Sequence, residues 1–116
     1  MELIDIMRSF LPRDVVELFE IVKIDDNPSE WLMDIYLDER KVVPKNLANM
    51  PVISYGFVEA VTIQDFPIRG KRVYLHLRRR KWLNKSDNTI HTTHFDITYP
   101  GTQLTEELVA FLKATN

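Results

Sequence analysis

Residues 69–85 read RGKRVYLHLRRRKWLNK. They hold eight of the chain's fifteen Lys and Arg residues and no acid. Laid out as a strand, the stretch puts Val73, Leu75 and Leu77 on one face and Arg72, Tyr74, His76, Arg78, Arg80 and Trp82 on the other. A helix would scatter these groups, whereas the two-residue period of a strand sorts them. The spacing therefore predicts a strand with one oily side and one cationic side bearing aromatic rings.

Asn84-Lys85-Ser86-Asp87-Asn88 is a turn-forming cluster, so the chain is expected to fold back over residues 89–99. The returning run alternates Thr93, Phe95, Ile97 and Tyr99 with His94, Asp96 and Thr98. One register that joins the two apolar faces sets Leu77 opposite Phe95, Leu75 opposite Ile97 and His76 opposite Asp96. After Pro100-Gly101, Thr105 resembles an N-cap followed by two acids, and Leu104, Leu108, Phe111 and Leu112 form the stripe of a C-terminal helix.

Upstream, Leu3, Ile4, Met7, Phe10 and Leu11 recur at helical spacing, and Pro12 opens a second short helix with Val15, Val16, Leu18 and Phe19 on its apolar side. Residues 19–39 then read as a hairpin about Asp25-Asp26-Asn27-Pro28-Ser29. Its second strand alternates Trp31, Met33, Ile35 and Leu37 with Leu32, Asp34, Tyr36 and Asp38. Residues 40–60 carry Pro44, Pro51 and Gly56 and no dominant period, so they read as a long connection, with a short strand at 61–63. The expected fold is α+β over residues 1–116 as one domain. Short N-terminal helices, two antiparallel β-hairpins forming a small sheet and a C-terminal helix packed on it make up that fold.

The charge pattern points to a partner. The formal net charge is −2, yet residues 66–86 carry +8 and the remainder −10. Exposed strand faces usually mix signs, and like charges two residues apart repel, so a cationic face implies a compensating anion. A two-stranded ribbon fits the DNA major groove, and Arg reads guanine edges bidentately. The expected nucleic-acid contacts are Arg72, Arg78 and Arg80 on one strand face and Arg69, Lys71, Arg79, Lys81 and Lys85 on phosphates, with Tyr74 and Trp82 able to stack. A charged, aggregation-blocking sheet surface is the plainer explanation of the same residues.

Other chemistries find little footing. The chain has no cysteine, which excludes disulfides and thiolate metal sites and fits a reducing cytoplasm. His91 and His94 point to opposite faces of a strand, which argues against a metal pair. No Gly-rich phosphate loop or Ser-centred elbow is present, so no catalytic residue and no cofactor is expected. The longest apolar runs fall well short of the ~20 residues of a membrane span, and two acids lie in Met1-Glu2-Leu3-Ile4-Asp5 where a signal peptide is basic.

The stretch VTIQDFPIRGKRVYLHLRRRKW, with GTQLTEELVAFLK downstream and FEIVKIDDNPSEWLMDIYL upstream, resembles the N-terminal-region proteins of an insertion-sequence transposase group, the Aon type. That group is similar to the larger ISL-three transposases. In those, a zinc ribbon flanks the segment matched here by Asp65-Phe66-Pro67 and the basic strand that follows. Both of its cysteine pairs are missing here, so the resemblance implies a ribbon held by apolar packing and no metal. It implies a non-catalytic region that binds the DNA of transposon terminal repeats. The helix-turn-helix and the catalytic carboxylates would lie on a separate transposase chain or on a continuation. The alternative is a protein-interaction module that docks on the catalytic transposase chain. A homo-oligomer is compatible with either.

Overall fold

A computed structural model describes residues 3–93 and Lys113. Two short helices lead the chain, α1 (Leu3–Arg8) and α2 (Arg13–Leu18). Seven strands follow: β1 (Phe19–Asn27), β2 (Leu32–Glu39), β3 (Val52–Phe57), β4 (Val61–Ile68), β5 (Lys71–Arg78), β6 (Arg80–Asn84) and β7 (Ile90–Thr92). They form two sheets, a four-stranded one in the order β1-β2-β5-β4 and a three-stranded one in the order β3-β6-β7.

The fold is therefore mostly β, which corrects the α+β expectation of two hairpins in one small sheet. The decisive feature is the place of β5. It pairs in parallel with β2, setting Ile35 beside Leu75 and Tyr36 beside His76, and antiparallel with β4, setting Ile63 beside Leu75. A strand has only two hydrogen-bonding edges. With β2 and β4 on them, both edges of β5 are occupied, and its antiparallel neighbour is β4. Phe95, Ile97 and the expected C-terminal helix of 104–112 lie outside the described residues.

One face of the larger sheet makes the core. Val73, Leu75 and Leu77 of β5 are buried as their alternation predicts, against Ile35 and Leu37 of β2 and Ile63 of β4. Met7, Leu11 and Val15 from the helical segment close over them. Pro12 precedes α2 and its carbonyl accepts the Val15 and Val16 amides, so the ring's fixed φ starts the helix. Burying a side chain of this size contributes roughly 1.5–3 kcal/mol, so this apolar layer dominates the stability.

The β1–β2 hairpin forms as read from the sequence, with Ile35 and Leu37 buried and the turn at residues 28–31 instead of 25–29, but Trp31 is exposed and Asp38 buried, against the alternation. Two elements are longer or newer than expected. The strand at 61–63 extends to Ile68, and β3 arises inside the irregular 40–60 segment.

At Arg79 the chain leaves the larger sheet and enters the smaller one. Inward positions are 73, 75 and 77 before that residue and 82 and 84 after it. Trp82, expected on the open cationic face, is consequently buried at 2% exposure. The β6–β7 hairpin does turn at 84–88, where Asn84 Oδ1 accepts the Ser86 amide and hydroxyl.

Candidate nucleic-acid interface

The outer face of the larger sheet carries polar side chains from four strands. Lys23 of β1, Tyr36 of β2, His76 of β5 and Thr62 of β4 stand in one row across it. His76 Nε2 lies 2.7 Å from Asp34 Oδ1 and its Nδ1 lies 2.8 Å from Thr62 Oγ1. An ionised Asp34 only accepts, so Nε2 carries the proton, and in the neutral ring Nδ1 takes the Thr62 hydroxyl proton as a hydrogen bond. The imidazole also stacks on Tyr36, with ring centroids 4.6 Å apart. The hydroxyl, imidazole and carboxylate tie three adjacent strands together. Beside them lies a shallow concavity of about 470 Å³ lined by Val22, Lys23, Ala60 and Arg78.

The ten sequence-derived contact residues divide into two groups. Arg78, Arg79, Arg80 and Trp82 are engaged by the protein itself. Arg78 Nε and Nη2 donate to the two oxygens of Asp38, both at 2.7 Å, in a bidentate pair. That carboxylate keeps Arg78 more firmly protonated than a free guanidinium. Arg80 Nε donates to the Glu39 carbonyl at 2.8 Å and Nη1 to Ser54 Oγ at 3.0 Å. Both guanidinium groups sit over the Phe57 ring, at 4.2 and 4.7 Å from its centroid. Arg79 Nη1 donates to the Thr93 carbonyl.

Glu39 lies beneath this arginine cluster and is nearly sealed from solvent. Burial pushes its carboxyl above the usual carboxylate range, and the hydrogen bond from the Arg80 amide to Oε1, at 2.9 Å, offsets part of that rise. The Trp82 indole N–H adds to the same field without meeting hydrogen-bond geometry.

The second group, Lys71 excepted, makes no ion pair among the described residues. Arg69 and Arg72 are exposed, and neither forms an ion pair among the described residues. Lys85 is exposed in the β6–β7 turn, and Lys81 lies 5.5 Å over the Tyr55 ring. Lys71 is held by Asp26 at 2.8 Å, and Tyr74 is half-buried on the outer sheet face.

Arg69 and Arg72 share one end of the larger sheet. Arg69-Gly70 is the two-residue loop between β4 and β5, with φ of 50° and 80°. Positive φ at both central positions is what a type I′ hairpin turn requires, and Gly70 meets it without strain. The β1–β2 turn ends at the same place. Its last residue, Trp31, has φ 50° and ψ 52°, donates its amide to the Pro28 carbonyl and accepts the Arg72 amide at 2.9 Å. A bulky side chain in the left-handed region is an outlier that costs on the order of 1–2 kcal/mol. The indole is nevertheless 60% exposed. The sequence marked Arg69 and Arg72 but not Trp31, whose place in an alternating run suggested a core residue. Glu30 is exposed in the same turn and moderates the positive charge there.

No family model, curated protein or solved structure matches the chain. Among the described residues there is no group of three or more His, Asp or Glu side chains placed to hold a metal ion, and no helix long and apolar enough to cross a membrane.

Proposed function

We propose that this chain is a non-catalytic, cytoplasmic DNA-binding or accessory region of an insertion-sequence transposase, and that it contacts transposon-end DNA. The resemblance of the segment around QDFPIRGK and the basic strand to the Aon-type proteins supports the context. The observation that carries the reading is the pair of exposed arginines, Arg69 and Arg72, at one end of the larger sheet, neither of them in an ion pair among the described residues. The contact set is narrower than the cationic strand face read from the sequence. Arg78 and Arg80 already have internal partners, and withdrawing them would leave Asp38 and the Glu39 carbonyl uncompensated.

The test is fluorescence anisotropy with a terminal-repeat duplex across a salt series. Two phosphate contacts, by Arg69 and Arg72, give a slope of log affinity on log salt of about −1.8, and adding Lys81 and Lys85 brings it to about −3.6. Absence of salt-sensitive binding at micromolar protein, to this duplex and to its separated strands alike, overturns the reading.

A second reading, docking on the catalytic transposase chain, draws on a different surface. Ile53, Leu83 and Ile90 form one row across the smaller sheet, and Ile53, Tyr55 and Ile90 are 44%, 54% and 46% exposed. Apolar and aromatic surface of this kind suits a protein partner. Co-purification with the transposase without DNA, lost on replacing Ile53 and Ile90 with Ser, supports it over the first.

A further inference from the structure

We infer that Trp31 is a base-stacking side chain, so that the nucleic acid taken by the Arg69–Arg72 end is unpaired: a single strand, or the opened terminus of a duplex. This rests on the DNA reading above and sharpens it by naming the form of DNA. Three observations lead there. The indole is 60% exposed, so its ring adds little to the core. Its backbone is fixed in the left-handed region by hydrogen bonds to Pro28 and Arg72, so the ring is presented from a rigid mount. The same Arg72 whose amide holds the Trp31 carbonyl has an exposed side chain with no ion pair among the described residues, and Arg69 lies across the adjoining turn.

A ring beside cations is the arrangement by which proteins hold unpaired strands. The aromatic face stacks on a base and the cations follow the phosphates. Inside an intact duplex each base face is covered by its neighbours, so only the two terminal pairs offer a face for stacking. Stacking of one base on one ring changes affinity by about tenfold or more. Glu30, the acid of the same turn, opposes this and sets a control in the opposite direction.

Tryptophan emission reads the event directly. The chain has two tryptophans, and Trp82 is buried at 2% exposure, so a change in emission on adding a polyanion reports Trp31. The whole chain is titrated with oligothymidylate and with a duplex of equal length, following emission and, with labelled nucleic acid, anisotropy. Oligothymidylate is expected to quench Trp31 and to bind more tightly than the duplex. Trp31→Ala should weaken single-strand binding about tenfold and duplex binding less than twofold. Trp31→Asn, a residue that tolerates the left-handed backbone, should give the same loss and guards against a folding defect. Glu30→Gln should strengthen both. Salt-sensitive binding with Trp31 emission unchanged, or equal loss of both forms in Trp31→Asn, overturns this inference and leaves the DNA reading standing. No salt-sensitive binding to either form removes the DNA reading itself.

Discussion

The two ends of the basic stretch have similar composition and opposite fates. At one end Arg69 and Arg72 project from a hairpin turn and a strand start with no acid paired to them among the described residues. At the other, Arg78 and Arg80 are clamped by Asp38, the Glu39 carbonyl and the Phe57 ring. The difference lies in what the neighbouring strand supplies. Parallel pairing sets Asp38 of β2 beside Arg78 of β5, whereas it sets Leu32 beside Arg72. A run of positive charge therefore marks a partner only where the adjacent strand has not already supplied one.

The two tryptophans that flank these arginines should respond most differently to replacement. Trp82→Ala should cost about 3–5 kcal/mol in urea unfolding, because it opens a void under the smaller sheet. Trp31→Asn should be neutral or stabilising by up to about 1 kcal/mol, since it relieves backbone strain and removes an exposed ring. Equal losses would mean that the Trp31 indole is packed as Trp82 is.

Next come the arginines. Arg78→Ala strands the largely buried Asp38 carboxylate and should cost about 1–2 kcal/mol, discounted because the Arg78 side chain is 47% exposed. Arg72→Ala should stay within about 0.5 kcal/mol. Arg69→Asn should raise stability by a few tenths of a kcal/mol, as Asn suits the first position of the type I′ turn, while lowering the salt slope of DNA binding by about 0.9. Anisotropy and urea melts on the same variant would separate charge from structure.

The inner faces of the strands were legible in the sequence, and their partners were not. Period two in Val73, Leu75 and Leu77 and in Ile35 and Leu37 marked strands and their inner faces correctly. Pro12 marked the second helix. Pairing between strands 40 residues apart leaves no local trace, so nothing in the alternation said that β2 rather than the following segment would lie beside β5. Trp82 was assigned to the wrong side because the break at Arg79 changes which parity faces inward. The β3 strand escaped because Pro51 and Gly56 obscure a short run with an irregular register. Trp31 carries no signal at all for a left-handed backbone; only the turn that ends there imposes it.

The smallest effect is a pH dependence at the clamped end. Glu39 has its carboxyl raised by burial, so its folded form holds a proton at pH values where the unfolded form has lost it. Its contribution to stability is fully present below the ordinary glutamate range and is lost as pH rises through the elevated value. Stability should therefore decline over that interval in the parent and decline less in Glu39→Gln, measured by urea melts at a series of pH values. An unchanged profile would show that Glu39 does not titrate differently on folding.

The passage of one backbone through both sheets at Arg79 has a mechanical consequence. Neither sheet can come apart without pulling on a thread the other is sewn to, so slow amide exchange should fail in β5 and β6 together, as one cooperative block rather than two.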